Sequence, residues 1–240
     1  MAWPRFFVEQ LPASGIFELD ENEARHASGV LRMVMGDVCL AFDGCGGEAQ
    51  CTVTKVSKRA VELRVVERLD TNRELTKPIT IAVALPKGDR QKTLVDFLVQ
   101  LGIHSFKPLV TKRSVAQPVD SALVRLRRSV IESSKQCGRN QLMNVLEPVD
   151  LSHLISELQT EGILRIFAHP YGAVTPLNQL QSNAKSAEEI TVVIGPEGGF
   201  TEEEAASMRS SGWIAASLGP RILRVEVAAT HVASWLAEVA

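Results

Sequence analysis

The sequence Ile194-Gly195-Pro196-Glu197-Gly198-Gly199-Phe200 carries the strongest local pattern in the chain. It ends an apolar, β-branched run at residues 190–194, which is typical of a buried parallel strand. Thr201 and Glu204 follow with the spacing of a capping box, so we expect a helix to begin there. Glycines at the carboxyl end of a strand let a ligand approach the backbone closely. The stretch therefore predicts a ligand-binding loop between a strand and a helix, although an ordinary tight turn has the same pattern.

A second stretch, Leu218-Gly219-Pro220-Arg221-Ile222-Leu223-Arg224-Val225-Glu226, follows another short apolar strand at residues 214–218. We expect Arg221 and Arg224 to open a helix over the apolar positions that come next. Positive charge near a helix amino terminus opposes the helix dipole, and this cost is more often tolerated for a ligand than for packing. Glu226 could instead neutralise one of the two arginines.

The remaining pattern predicts an α/β protein with a smaller β-rich part in front. Strands and helices alternate after the polar segment at residues 70–78, which favours a mostly parallel sheet with helices on both faces. The strands predicted in this part are residues 79–85, 106–110, 163–168, 191–194 and 214–218. Short strands closely joined by turns favour a small barrel before residue 70. Its predicted elements are strands at residues 36–42, 49–56 and 60–66 and a helix at residues 21–30.

Composition indicates an ordinary soluble protein of one domain or two small ones. The chain has 240 residues, of which 45% are hydrophobic and 22% charged. It contains no apolar run of membrane-spanning length and no signal-peptide pattern, so we expect a cytoplasmic protein. The formal net charge of −2 means that any affinity for RNA must come from a local patch. The four cysteines lack metal-ligand spacing, so we expect no metal and favour reduced packing residues over a disulfide.

Taken together, the two glycine-containing stretches resemble the carboxyl-terminal signature of SPOUT-superfamily methyltransferases that modify N3 of a uridine in small-subunit (16S) ribosomal RNA. The resemblance spans almost the whole chain. It includes Pro4-Arg5-Phe6-Phe7, Val30-Leu31-Arg32-Met33, Leu101-Gly102-Ile103, Arg113-Ser114, and Glu132 with Gln136-Cys137-Gly138-Arg139.

This resemblance implies a fold, a cofactor and partners. The fold would be α/β, with a mostly parallel sheet, a carboxyl-terminal trefoil knot that binds S-adenosylmethionine, and a small amino-terminal PUA-like β-barrel that helps hold RNA. Residues 1–72 would be the PUA-like RNA-binding domain, and residues 73–240 the SPOUT-like methyltransferase domain. The implied partners are 16S ribosomal RNA or the small ribosomal subunit and a second copy of the chain. No membrane and no metal are implied.

The resemblance also implies the site residues. Those predicted to surround S-adenosylmethionine are His169, Gly195, Glu197, Gly198, Leu218, Gly219, Ile222 and Leu223. Those predicted to contact RNA are Arg5, Arg32, Arg113, Arg128, Gln136 and Arg139. An arginine can pair with a phosphate or a base edge through two hydrogen bonds, but each of these arginines could also be a solvated surface charge.

Methyl transfer to uracil N3 needs an in-line arrangement of donor and acceptor and a group that stabilises the base once its N3 proton has left. We predict Arg224 in this role, with Arg5 as the second residue most needed for activity. Val225 and Val227 stand where the family usually has threonine, and Phe97 and Gln100 also depart from its pattern.

Three functions therefore stay open. The first is an active ribosomal RNA methyltransferase. The second is a non-catalytic RNA-binding paralogue, which the two missing hydroxyls would favour. The third is an unrelated small-molecule α/β enzyme, for which no salt-dependent binding of RNA is expected.

Overall fold

A computed structural model describes residues 3–57, 59–158, 160–172 and 174–239. The chain divides into two compact units, Met1–Glu74 with Ile131–Leu142, and Leu75–Val130 with Met143–Ala240. The segment 131–142, which the sequence division assigns to the second domain, thus belongs to the first unit. The functional assignment of residues 1–72 and 73–240 stays a prediction.

The first unit is built on a five-stranded sheet with the order β1-β3-β4-β5-β2. Its strands are β1 (Arg5–Phe7), β2 (Ile16–Glu18), β3 (Val38–Phe42), β4 (Glu48–Val56) and β5 (Val61–Leu69). Neighbours pair antiparallel except β1 and β3, which are parallel. The three strands predicted in this part correspond to β3, β4 and β5, whereas the short edge strands β1 and β2 were not predicted.

One helix and the inner face of this sheet form the core of the first unit. Helix α1 (Glu21–Arg25) begins at Asp20, whose carboxylate accepts hydrogen bonds from the backbone N–H groups of Asn22 and Glu23 at 2.7 and 2.9 Å. It continues as a π-helical turn, His26–Val30, which completes the helix predicted at residues 21–30. Residues that alternate along the strands point to one face and are fully or almost fully buried. They include Cys39, Ala41, Ala49, Cys51, Val53, Val61 and Leu63.

The second unit is built on a sheet in which all described pairings are parallel. The strand order is β11-β13-β10-β12-β6-β7-β8, and β9 also pairs with β7. The strands are β6 (Ile79–Ala84), β7 (Ser105–Val110), β8 (Asn144–Val145), β9 (Val149–Asp150), β10 (Ile163–Ala168), β11 (Thr175–Pro176), β12 (Glu189–Ile194) and β13 (Ile214–Ser217). The predicted mostly parallel sheet is therefore confirmed, with three additional strands of two residues each.

Helices cover both faces of this sheet. The remaining helices are α2 (Arg90–Gln100), α3 (Asp120–Cys137), α4 (Leu151–Glu157), α5 (Gln181–Ser186), α6 (Glu202–Ser210) and α7 (Val225–Val239). Helices α4 and α6 pack with Phe167 and Val193 in one apolar cluster, while α2 and α7 pack together and α7 contacts β6 and β12. Strand β12 is accordingly buried along both faces. Among the helices of the described residues, none has the length and apolar character that crossing a membrane requires.

The two helices that follow the quoted stretches begin differently from one another. Helix α6 starts at the predicted capping box: Thr201 Oγ1 accepts from the Glu204 N–H at 3.2 Å, and a Glu204 carboxylate oxygen accepts from the Thr201 N–H at 2.8 Å. The prediction that Arg221 opens the next helix is wrong, because α7 begins at Val225. Gly219 has φ of 106°, and the chain stays non-helical from there up to Arg224. The Ala228 N–H then donates to the Arg224 carbonyl at 2.8 Å, at the start of α7.

Candidate functional site

A cavity of about 230 Å³ lies at the carboxyl ends of β10, β12 and β13, which are neighbours in the parallel sheet. Its walls are residues 168–171 after β10, residues 194–200 after β12 and residues 218–225 after β13, without Pro220 and Arg224. Ala228 of α7 completes the lining. Parallel strands end at one edge of a sheet, and such an edge is the usual place for a ligand in this class of fold.

All eight residues predicted to surround the cofactor line this one cavity: His169, Gly195, Glu197, Gly198, Leu218, Gly219, Ile222 and Leu223. Several further residues line the cavity that were not among those predicted to surround the cofactor, including Tyr171, Phe200, Arg221, Val225 and Ala228. Phe200 and Val225 directly adjoin the named positions, so sequence proximity was the signal that could have found them. Contact of these residues with a cofactor stays a prediction.

The glycine-rich loop has a defined conformation. The Gly199 N–H donates to the Pro196 carbonyl at 2.8 Å, and Gly199 has φ of 66°, a left-handed value that favours glycine. A Cβ on Gly195 would lie 3.0 Å from two ring atoms of Phe200, so packing also favours glycine there. A Cβ on Gly198 would meet the Arg113 side chain at 3.5 Å, which is ordinary van der Waals contact.

Two arginines from other segments donate hydrogen bonds to the glycine-rich loop. Arg90, at the start of α2, donates to a carboxylate oxygen of Glu197 at 3.1 Å and lies 3.8 Å from a carboxylate oxygen of Glu226. Arg113 donates through Nη1 to the carbonyl oxygens of Gly198 at 2.8 Å and Phe200 at 3.4 Å. The loop is thus held by charged side chains from the segments that follow β6 and β7.

His169 brings a neutral ring to the cavity. Its backbone N–H donates to the Ala216 carbonyl at 2.9 Å, which fixes the residue at the end of β10. Burial, and then the nearby positive charge of Arg209, lower the pKa of the imidazole below its usual value. The side chain is therefore uncharged at neutral pH.

The residues predicted to contact RNA fall into two groups. Arg32, Arg128 and Gln136 have exposed side chains. Arg32 is in the left-handed region with φ of 54°, and no other non-glycine residue in the described ranges has a positive φ. Arg5 and Arg139 are instead held by carboxylates, and Arg113 is bonded to the glycine-rich loop.

Arg5 and Arg139 belong to a buried ionic network of the first unit. Glu48 is fully buried and accepts hydrogen bonds from Arg5 and, at 3.1 Å, from Arg73. Arg139 is 4% exposed and donates through Nε to Glu74 at 2.8 Å, while its carbonyl accepts from Arg5 at 3.2 Å. The Arg5 guanidinium also lies over the ring of Phe42. These two arginines therefore have partners within the fold.

Arg224 and Arg5, the pair predicted to be catalytic, lie in different units. Arg224 is exposed immediately before α7, between the cavity-lining residues Leu223 and Val225. Its role and that of Arg5 stay predictions.

The described residues contain no group of three or more His, Cys, Asp or Glu side chains that could hold a metal ion. All four cysteines are free. Cys39 and Cys51 face each other across β3 and β4 and are buried. Burial raises their pKa values to about 12 and about 11, so these thiols stay protonated at neutral pH.

Comparisons with known proteins agree with this architecture. The chain matches the family model described as an RNA methyltransferase domain over residues 73–237, and the model described as an RNA methyltransferase PUA domain over residues 19–66. It is 30% identical over 241 residues to ribosomal RNA small subunit methyltransferase E of Bacillus subtilis (strain 168), with 96% of this chain and 94% of the relative covered.

Two solved structures are similar over nearly the whole chain. Ribosomal RNA small subunit methyltransferase E from Neisseria gonorrhoeae, bound to S-adenosyl methionine, has a TM-score of 0.90 and 26% identity, covering 98% of this chain and 96% of that chain. A protein from Legionella pneumophila, in complex with the bound cofactor SAM, has a TM-score of 0.90 and 28% identity, covering 98% of this chain and 97% of that chain. The chain therefore belongs to the RNA methyltransferase family that includes ribosomal RNA small subunit methyltransferase E.

Proposed function

We propose that this chain transfers a methyl group from S-adenosylmethionine to N3 of a specific uridine in 16S ribosomal RNA. The observation that carries the proposal is the convergence of both glycine-containing stretches on one cavity at the carboxyl edge of the parallel sheet. Family membership supplies the reaction class, and two structural neighbours hold S-adenosylmethionine. The uridine and its N3 position rest on the sequence resemblance.

The cavity residues fit the chemistry of this cofactor. S-adenosylmethionine combines a flat adenine, a cationic sulfonium and a charged amino-acid end. Leu218, Ile222 and Leu223 offer apolar contact to the adenine, and the loop around Gly198 offers backbone groups. Glu197 brings negative charge to the cavity, whereas His169 is neutral and does not repel a cation. When bound, the cofactor supplies the electrophilic methyl group.

In this proposal Arg224 is the catalytic residue of the chain. Removal of the N3 proton leaves negative charge on the uracil, and a guanidinium close to the base stabilises that charge. Arg224 is exposed beside two cavity-lining residues, so it can reach a base that is held against the cavity mouth.

Arg32, Arg128 and Gln136 are proposed as the RNA contacts whose exposed side chains need no rearrangement. For Arg5 and Arg139, contact with RNA requires sharing or leaving the buried carboxylate of Glu48 and the half-buried carboxylate of Glu74. The second catalytic role predicted for Arg5 carries the same requirement.

The remaining parts of the proposal rest on the family. They are a carboxyl-terminal trefoil knot, a homodimer, a cytoplasmic location, and a division of labour in which residues 1–72 hold RNA and residues 73–240 carry the methyltransferase site. A structure in which α7 is unthreaded would exclude the knot.

The first experiment is calorimetric titration of the full chain with S-adenosylmethionine, followed by transfer of labelled methyl to a 16S ribosomal RNA transcript and to small subunits. Glu197→Gln removes a carboxylate that lines the cavity, and Glu203→Gln removes one that does not. We expect weaker binding only for Glu197→Gln, and label at N3 of one uridine. Label at another atom, or equal binding by both variants, would contradict the proposal.

A non-catalytic RNA-binding paralogue is the second candidate, because Val225 is buried and lines the cavity where the family usually has threonine. This candidate predicts affinity for 16S ribosomal RNA without binding of S-adenosylmethionine. Val225→Thr should then raise the affinity for S-adenosylmethionine by about fivefold, since a neutral hydrogen bond contributes about 1 kcal/mol. Binding of S-adenosylmethionine by the unchanged chain would remove this candidate. Family membership disfavours the third interpretation, an unrelated small-molecule enzyme.

A further inference from the structure

Arg113 has a set of contacts that its predicted role in RNA binding does not explain. Its guanidinium donates to two carbonyl oxygens of the glycine-rich loop, those of Gly198 at 2.8 Å and Phe200 at 3.4 Å. These carbonyls lie 85 and 87 residues away in the sequence. The side chain therefore crosses from the segment after β7 to the segment after β12 and engages backbone that adjoins the cavity.

The segment that carries Arg113 is itself fixed. The Thr111 N–H donates to Ser114 Oγ at 2.9 Å, which closes the turn at residues 111–114. The Lys112 N–H donates at 2.8 Å to Glu204, the same residue whose other carboxylate oxygen accepts the Thr201 N–H. The turn is thus tied to the start of α6, and Arg113 is presented to the loop from a rigid base.

The loop itself needs an external restraint at these carbonyls. Its one described internal backbone hydrogen bond runs from the Gly199 N–H to the Pro196 carbonyl. Glycines lose much conformational freedom when they are ordered. The Arg113 Nη1 group bridges the carbonyls of residues 198 and 200, and this restricts the backbone on both sides of Gly199.

We propose that Arg113 is a positioning residue, which holds the glycine-rich loop in its ligand-binding conformation through the carbonyl oxygens of Gly198 and Phe200. Its effect on S-adenosylmethionine rests on the proposed function, whereas its effect on the loop does not. Arg113 acts on the cofactor through the backbone and needs no contact with it. The competing role is an electrostatic contact with RNA phosphate.

The neighbouring Lys112 provides a matched control. Both residues are cationic, exposed and in the same turn. The Lys112 side chain pairs with Glu203, whereas its link to Glu204 is made by the backbone and survives substitution. Lys112→Ala therefore removes the same charge as Arg113→Ala and leaves the loop carbonyls untouched. Arg113→Lys keeps the charge but replaces the planar guanidinium, whose Nη1 faces both carbonyls, by an ammonium group on a flexible stem.

The test is hydrogen exchange of the peptide containing residues 195–204 in the full chain without cofactor, together with calorimetric titration of S-adenosylmethionine. Loss of the charged hydrogen bonds to these two carbonyls should speed exchange about fivefold in Arg113→Ala and raise the Kd for S-adenosylmethionine by a similar factor. Lys112→Ala should match the native chain in both measurements, and Arg113→Lys should lie between.

A third measurement addresses RNA directly. The affinity for a 16S ribosomal RNA transcript, measured against salt concentration without cofactor, should fall equally or not at all in Arg113→Ala and Lys112→Ala. Equal exchange of the loop in Arg113→Ala and Lys112→Ala would overturn the inference. If the native chain fails to bind S-adenosylmethionine, the proposed function fails while the exchange comparison still decides the role of Arg113.

Discussion

The packing of the glycine-rich loop predicts that alanine has different effects on stability at two glycines three residues apart. At Gly195 the new Cβ would lie 3.0 Å from Cε2 and Cζ of Phe200. Phe200 is only 6% exposed and meets the ring of Phe167 edge-on at 6.1 Å, so it has little room to withdraw. At Gly198 the new Cβ would meet Arg113 at an ordinary 3.5 Å.

The magnitudes follow from these contacts. Overpacking of a buried site costs about 1–3 kcal/mol, and replacing glycine by alanine restricts the unfolded chain and returns about 0.4–1 kcal/mol. Gly195→Ala should therefore lower the free energy of unfolding by about 1–2 kcal/mol, whereas Gly198→Ala should leave it unchanged or slightly higher. For a chain of this size the first change corresponds to a fall in Tm of about 2–8 °C.

Thermal unfolding of both variants, with and without S-adenosylmethionine, is the assay. Because Phe200 lines the cavity, Gly195→Ala should also weaken the stabilisation that the cofactor gives. A Tm of Gly195→Ala equal to that of the native chain, or a larger fall in Tm for Gly198→Ala than for Gly195→Ala, would refute the packing argument.

Three further changes test other parts of the structure. Glu48→Gln leaves Arg5 and Arg73 without their buried carboxylate and should destabilise the chain by about 3 kcal/mol in urea denaturation; a loss below about 1 kcal/mol would contradict the network. The pKa of His169 is lower in the folded chain than in the unfolded chain, so its contribution to stability is present above about pH 6.5 and is lost as the pH falls. The Tm of His169→Gln should therefore fall less between pH 7 and pH 5 than the Tm of the native chain. An equal fall in both chains would disprove this. Arg224→Ala should lower methyl transfer by about 100-fold with unchanged binding of S-adenosylmethionine, and full activity would exclude the catalytic role.

Local patterns predicted the elements around the site well. Strand β10 has the predicted bounds, and the capping box at Thr201 starts α6 as expected. Both depend on neighbours within a few residues. The pairing of β8, β9 and β11 could not be predicted, because two-residue strands are defined by partners elsewhere in the sheet.

The sequence did not predict the partners of these charged residues. The sequence identified Arg5 and Arg139 as notable cations, but Glu48 and Glu74 lie 43 and 65 residues from them. Arg113 is a similar case, since its acceptors are backbone carbonyls of a distant loop. A sequence shows where a charge is, whereas the fold decides whether that charge faces solvent, a carboxylate or a peptide group.

The first unit includes residues 131–142, which are synthesised well after residues 1–74, and this has a consequence for biosynthesis. Asn140 is 1% exposed and donates to the carbonyls of Gly46 and Thr71 at 2.9 and 2.8 Å, while the Lys135 ammonium donates to the buried carboxylate of Glu23 at 2.7 Å. A nascent chain that ends at residue 72 lacks these groups. The amino-terminal unit can therefore reach its final structure no earlier than the moment when residue 142 has left the ribosomal exit tunnel, a point at which the second unit is still being synthesised.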